Sequence, residues 1–110
     1  MRVAVASQGP ELSSRVDPRF GRAPYIVIGE TGRPEPEVID NRENSQQAGG
    51  AGVAAAETVV SRRVDMIVSQ NFGPKALKVF SAAGVKAAVF SDGTVAEAIE
   101  AAMRGQLPLI

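Results

Sequence analysis

Three arginines on one predicted loop are the side chains of this sequence best suited to bind a ligand. Arg15, Arg19 and Arg22 lie within the stretch Ser7 to Pro24, which runs through glycine, proline and polar residues. Loops longer than about 12 residues without secondary structure are usually functional or disordered. Because this loop also carries Phe20, we expect it to be ordered. Since arginine forks bind polyoxo or polysulfido anions by charge-assisted hydrogen bonds, we predict one wall of an anion site, and the alternative is that the three are ordinary solvated loop arginines.

A glycine and a proline precede a lysine at the start of a predicted helix. Gly73, Pro74 and Lys75 would leave backbone N–H groups free, and such groups attract anions through the helix dipole. The same pattern is typical of an ordinary helix start, so both interpretations stay open. The segment 50–55, GAGVAA, fits G-x-G-x-x-A, but it follows an edge strand and no acidic residue closes the next strand. We therefore reject a dinucleotide site there and interpret the glycines as allowing close backbone approach or flexibility, with a supporting anion nest as the alternative.

The composition limits the chemistry of the chain. Its length predicts one domain, residues 1–110, and lysine plus arginine balance aspartate plus glutamate at 12 each, which disfavours nucleic-acid binding. Cysteine and histidine are absent, which excludes disulfides, thiolate or imidazole metal ligands, and Ser-His or Cys-His catalysis. No apolar run approaches the roughly 18 residues of a membrane span, and no signal peptide is visible. We expect a cytoplasmic protein that does not bind membranes.

Five short apolar or β-branched runs predict the strands that position the loop. They are Arg2–Ser7, Tyr25–Glu30, Glu37–Asn41, Asp65–Ser69 and Lys86–Ser91. Short links between the first three predict an antiparallel meander. Helical crossovers before the last two predict parallel pairing.

Hydrophobic periodicity and capping residues predict three helices. A glycine-rich approach at 44–52 leads to a helix at 51–63, for which Val53, Ala56, Val60 and Val64 predict the buried face. A second helix runs from Pro74 to Gly84, and a capping box at 94–97 starts the third. The prediction is a three-layer α/β/α fold whose mixed sheet has the order 3-2-1-4-5.

Ligands in such sheets bind beyond the carboxyl ends of the strands, where successive connections diverge. The loops at 7–24, 41–52, 70–75 and 92–93 should converge there, between strands one and four. The predicted ligand-binding residues at this edge are Ser7, Gln8, Arg15, Arg19, Phe20, Gly21, Arg22, Asn41, Asn71, Gly73, Pro74 and Lys75. Phe20 is interpreted as a core anchor for the loop, as an apolar lid, or as both. Met66 is interpreted as a core residue in preference to a thioether ligand for copper.

Several segments resemble one protein family over the whole chain. They are VAVASQG, DPRFGRAPYIVI, VDMIVSQNFGPKAL, AAGVKA and GTVAEAIE. Together they are similar to the dinitrogenase iron-molybdenum cofactor-binding family, also called nitrogenase accessory factor-like. The opening ASQGPELSSRVDPRFGRA is closest to its orange-protein branch, whose members hold a molybdenum-copper sulfide cluster without covalent bonds.

The resemblance implies a ribonuclease H-like fold and metal-sulfur cluster binding, carriage or assembly rather than catalysis. The implied cofactor is a molybdenum-copper sulfide or iron-molybdenum cluster, and the implied partners are cluster-assembly or acceptor proteins and an associated ATPase. Some members use a histidine or cysteine ligand that this chain lacks. One alternative is an interaction module that docks on such a partner. Another is a ribonuclease H-like hydrolase, disfavoured because Asp65 lies at the wrong end of its strand.

Overall fold

Five short runs rich in apolar and β-branched residues form a single sheet in this computed structural model, which describes residues 1–47 and 49–110. The strands are β1 (Arg2–Ser7), β2 (Tyr25–Glu30), β3 (Glu37–Asp40), β4 (Met66–Ser69) and β5 (Lys86–Val89). Their order is β3-β2-β1-β4-β5, in which β2 is antiparallel to both its neighbours and the β1–β4 and β4–β5 pairs are parallel. The predicted order and directions are confirmed.

Helices cover both faces of this sheet. They are α1 (Arg42–Ser45), α2 (Ala51–Ser61), α3 (Pro74–Ala83) and α4 (Val95–Met103), and a 3₁₀ helix spans Phe20–Arg22. The predicted capping box is present at α4, where the Glu97 N–H donates to the Thr94 hydroxyl at 3.2 Å. None of the helices in the described ranges is long and apolar enough to cross a membrane.

The boundaries of β3 and of the segment after it differ from the prediction, because polar side chains form a turn there. β3 ends at Asp40, because the Asp40 carboxylate accepts the N–H of Arg42 at 3.0 Å and starts the turn into α1. The side chain and backbone of Arg42 lower the pKa of Asp40 to about 2. Helix α1 was missing from the predicted approach at 44–52, of which Ala48 lies outside the described residues. The other elements end within one or two residues of the expected positions.

The predicted buried face of α2 was also partly wrong. The buried residues are Ala51, Ala55, Ala56 and Val59, whereas Val53 and Val60 lie at the flanks. Small side chains on the buried face allow α2 to approach its neighbours closely.

Each face of the sheet has its own core. Under α2 and α3, Ile67 and Phe80 are at most 1% exposed. In the core between α4 and the sheet, Val68 of β4 and Val95 of α4 are fully buried. Met66 belongs to the same core, as expected.

The loop between β1 and β2 crosses the carboxyl edge of the sheet from one core to the other. Val16 packs in the core under α4, and Phe20 packs in the core under α2 and α3. Between them, the Asp17 N–H donates to the Ala6 carbonyl at 2.8 Å, and the Ser69 hydroxyl donates to the Asp17 carbonyl at 3.0 Å. The loop is therefore anchored in both cores.

We predict that Phe20→Ala lowers the free energy of unfolding by about 3–5 kcal/mol, as truncation of a buried aromatic residue does. The Phe20 side chain is only 1% exposed. The measurement is urea denaturation, with Leu109→Ala as a control because Leu109 is 54% exposed. A loss below about 1 kcal/mol for Phe20→Ala would show that the loop contributes little to the core.

Candidate anion-binding groove

The long loop, the start of α2 and the start of α3 enclose a groove at the carboxyl edge of the sheet. It consists of two adjoining cavities of about 450 Å³ and about 240 Å³ that share Gly52 and Gly73, and we call it the glycine groove. Its lining residues are Arg19, Phe20, Gly21, Arg22, Gly50, Gly52, Val53, Asn71, Phe72, Gly73, Pro74, Lys75 and Ala76.

Two helix N-termini open into this groove without a side-chain cap. Gly50 is the N-cap of α2 and Gly73 is the N-cap of α3, and neither position has a side-chain hydrogen bond to the helix. The first backbone bonds within these helices are Ala54 N–H to Gly50 and Leu77 N–H to Gly73. The amides before them point out of the helix, toward its positive end.

Four of those amides are suited to receive a ligand. They belong to Gly52, Val53, Lys75 and Ala76, and in the part of the chain that the structure describes none donates to a protein acceptor. Free N–H groups at a helix N-terminus form a site for an anion.

Three cationic side chains border the groove. Arg22 donates from Nη1 to the carbonyls of Ser45 and Gln47, at 2.9 Å and 2.7 Å, and so ties the loop to the segment before α2. Arg19 and Lys75 are exposed, and neither forms an ion pair with any described residue. Of the described residues, no carboxylate lines the groove. The local charge is therefore positive.

An aromatic cluster forms the floor of the larger cavity. The Phe20 ring centroid lies 5.6 Å from that of Phe72 and 5.2 Å from that of Phe80. The tilted and edge-on arrangements are the favourable ones for aromatic pairs. Phe20 is only 1% exposed and therefore acts as a core anchor, at a position that also borders the larger cavity.

Four of the predicted site residues lie outside the groove, and three of them, Ser7, Gln8 and Asn41, form hydrogen bonds within the surrounding structure. Ser7 is fully buried, and its hydroxyl donates to the carbonyl and accepts the N–H of Gly9. The buried Asn41 side chain donates to the Ala23 carbonyl at 2.8 Å. Gln8 is exposed, and its N–H donates to the Arg15 carbonyl.

Arg15 lies on the α4 side of the loop. Its guanidinium pairs with the Asp92 carboxylate, and its backbone bridges to Thr94. The loop at 92–93 therefore meets the first half of the long loop, whereas the other three loops meet at the groove. The structure brings together Arg19, Phe20, Gly21, Arg22, Asn71, Gly73, Pro74 and Lys75.

Gly50 and Gly52 are groove residues that the predicted set omitted. Their signal is the GAG sequence at the start of α2, whose glycines are interpreted above as allowing close backbone approach or forming a supporting anion nest. In the structure those glycines form the uncapped start of a helix that faces a second one.

The other concave surfaces are less suited to an anion. A cavity of about 390 Å³ lies between α3, β5 and the C-terminal segment, where Leu77, Leu109 and Ile110 line it. Cavities of about 350 Å³ and 330 Å³ flank α4, beside Ile99 and Met103. The first lies at the C-terminal end of α3, whose partial charge is negative, and the linings of the other two include Glu100 or Glu30.

A carboxylate-held metal centre is also missing from the described ranges. They contain no group of three or more aspartate, glutamate, histidine or cysteine side chains able to hold a metal ion. Asp65 accepts the Arg2 N–H at 2.8 Å, at the edge of the sheet opposite the groove.

Comparisons with known proteins agree with a cofactor-binding role. Residues 1–105 match the model of the dinitrogenase iron-molybdenum cofactor family. The apo form of the orange protein from Desulfovibrio gigas has a TM-score of 0.92 and 34% identity, over 99% of this chain and 92% of that chain. A Thermotoga protein of the DUF35 family has a TM-score of 0.84 and 40% identity, over 98% and 91%. An uncharacterized protein of Methanocaldococcus jannaschii is 30% identical over 100 residues, 89% of this chain and 85% of its own length.

We predict that the groove arginines contribute little to folding. Arg19→Ala should change the free energy of unfolding by less than about 0.5 kcal/mol, as exposed substitutions do. Arg22→Ala should cost about 1 kcal/mol, because it removes two exposed hydrogen bonds. Ile67→Ala, a core reference, should cost about 2–5 kcal/mol in the same urea titrations. An Arg19→Ala loss as large as that of Ile67→Ala would make Arg19 a structural residue.

Proposed function

The chain belongs to the dinitrogenase iron-molybdenum cofactor family, and we propose that its glycine groove binds an anionic metal-sulfur cluster. The family is of the cofactor-binding type. The observation that carries the proposal is the meeting of two uncapped helix N-termini with Arg19, Arg22 and Lys75. This donor set favours an anion because every polar group in it is an N–H donor, a cation or a neutral amide.

The volume of the groove and the open space beside its backbone also support the proposal. Its larger cavity, about 450 Å³, lies within the range of about 300–1,000 Å³ usual for small-molecule sites. The missing Cβ atoms at Gly52 and Gly73 leave open space next to the free amides. Phe72, which is partly exposed and packs against Phe20, supplies an apolar wall for soft sulfur atoms.

Binding would occur through the outer atoms of the cluster. Because the sequence contains no cysteine or histidine, neither a thiolate nor an imidazole is present to bond the metal. The amides of α2 and α3 would donate hydrogen bonds to peripheral sulfur or oxygen atoms. Arg19, Arg22 and Lys75 would neutralise the charge.

The cluster in this proposal contains molybdenum. The similarity to the orange protein favours a molybdenum-copper sulfide cluster, and the family description makes an iron-molybdenum type the alternative. The cluster is cargo, and carriage or assembly in the cytoplasm is the function rather than catalysis. Its partners would be cluster-assembly or acceptor proteins, with an associated ATPase among them.

Two other functions have less support. An interaction module would use the long loop as a contact surface, yet that loop is anchored in both cores and encloses a groove. A ribonuclease H-like hydrolase would need clustered carboxylates for two metal ions, and none occurs in the described ranges.

We predict that the apo-protein retains a visible-absorbing cluster after mixing with tetrathiomolybdate and a copper(I) salt, followed by desalting. The measurements are the absorption spectrum and the metal-to-protein ratio. Retention should weaken as salt rises, because exposed charges are screened over about 8–10 Å at physiological ionic strength. Arg19→Ala and Lys75→Ala should each reduce retention, and the double variant should release the cluster while remaining folded.

Lys78→Ala is the matched control, since Lys78 is an exposed lysine of α3 that does not line the groove. It should retain the cluster as the wild type does. Full retention by the Arg19/Lys75 double variant at high salt would contradict binding by charge in this groove.

A further inference from the structure

Gly52 occupies a position where the fold itself does not need a glycine. It lies in the first turn of α2, and its backbone is not in the left-handed region. A Cβ added there would have only the Ala76 Cβ nearby, at 3.8 Å, which is ordinary van der Waals contact. Alanine is the better helix former, so folding alone would favour alanine at this position.

Other glycines around the groove have clear structural reasons. A Cβ on Gly21 would lie 2.8 Å from the Gly52 Cα and 2.9 Å from the Gly52 nitrogen, so the loop could not pack against α2. Gly50 has a φ of 76°, in the left-handed region that side chains disfavour. Gly52 shares neither constraint, although it lines both cavities.

Gly73 resembles Gly52 in this respect. It has a φ of −75°, and nothing lies within 4 Å of an added Cβ. As the N-cap of α3 it stands where serine, asparagine or aspartate would accept the free N–H groups of the first turn. The chain keeps this position without a side chain, and so leaves the amides of Lys75 and Ala76 open to the groove.

We infer that Gly52 and Gly73 are specificity-determining residues, whose missing side chains set how closely a bound anion approaches the amides of α2 and α3. This inference rests on the proposed function. Under this inference the ligand occupies the space that a methyl group at position 52 would fill. The ligand also accepts the hydrogen bonds that a capping side chain at position 73 would accept. The groove should therefore bind anions that are large enough to span both helix starts and that need direct contact with the backbone.

The test separates folding from binding. Gly52→Ala should raise the melting temperature of the apo-protein by about 2–5 °C, since Gly→Ala at an unstrained position restricts the unfolded chain. The same variant should weaken retention of the tetrathiomolybdate-copper cluster by about tenfold or more, the size of one lost charge-assisted hydrogen bond. Gly73→Asn should also raise the melting temperature and weaken retention of the cluster. The neutral asparagine side chain would cap α3 and compete with the cluster for the same amides.

Gly49→Ala is the matched control. Gly49 lies just before α2, nothing is within 4 Å of its added Cβ, and it does not line the groove. This variant should retain the cluster as the wild type does. If the wild type binds the cluster, and Gly52→Ala and Gly73→Asn retain as much of it as the wild type does, this inference is overturned and the proposed function is not. A wild-type protein that retains no cluster would remove the proposed function and this inference together.

Discussion

The hydrogen bonds that fasten the long loop across the carboxyl edge of the sheet are the constraint on which the rest of the groove depends. The Asp17 N–H donates to Ala6 of β1, the Ser69 hydroxyl of β4 donates to the Asp17 carbonyl, and the Phe20 N–H donates to the Asn71 carbonyl. These bonds join the loop to the two central strands. Without them, an 18-residue segment from Ser7 to Pro24 would have to be ordered by its side chains alone, at a large cost in backbone entropy.

This anchoring also determines where the groove lies relative to the strands. In an open α/β sheet a ligand is expected at the point where connections diverge, here between β1 and β4. The loop itself occupies that point, because Asp17 is hydrogen-bonded to both strands. The remaining concave surface lies beside it, where Gly21 packs against Gly52 and the starts of α2 and α3 converge. The groove is thus a consequence of how the loop passes over the edge.

Local patterns were enough to predict the sheet order, because strand periodicity and crossover rules act over short segments. The same patterns placed Arg19, Arg22 and Lys75 near one another, since loops after parallel strands share an edge. They could not separate Arg15 from the other arginines, because that depends on which core receives Val16 and which receives Phe20. Nor could they show that Asn41 is satisfied by the Ala23 carbonyl, which is a contact between distant segments. Long-range packing decides both.

The chain itself shows how a helix N-terminus is completed when no ligand is involved. At α4 the Glu97 carboxylate accepts the Thr94 N–H at 2.9 Å, and the hydrogen bonds from Thr94 lower the pKa of Glu97. At α2 and α3 no such side chain is provided, and Arg19 and Lys75 line the groove into which the amides open. Under the proposed function, an external anion plays the part that Glu97 plays at α4. Because that anion forms no bond between its metal and the protein, it can leave without breaking one. Binding by amides and cations alone therefore suits a protein that must later give its cargo up.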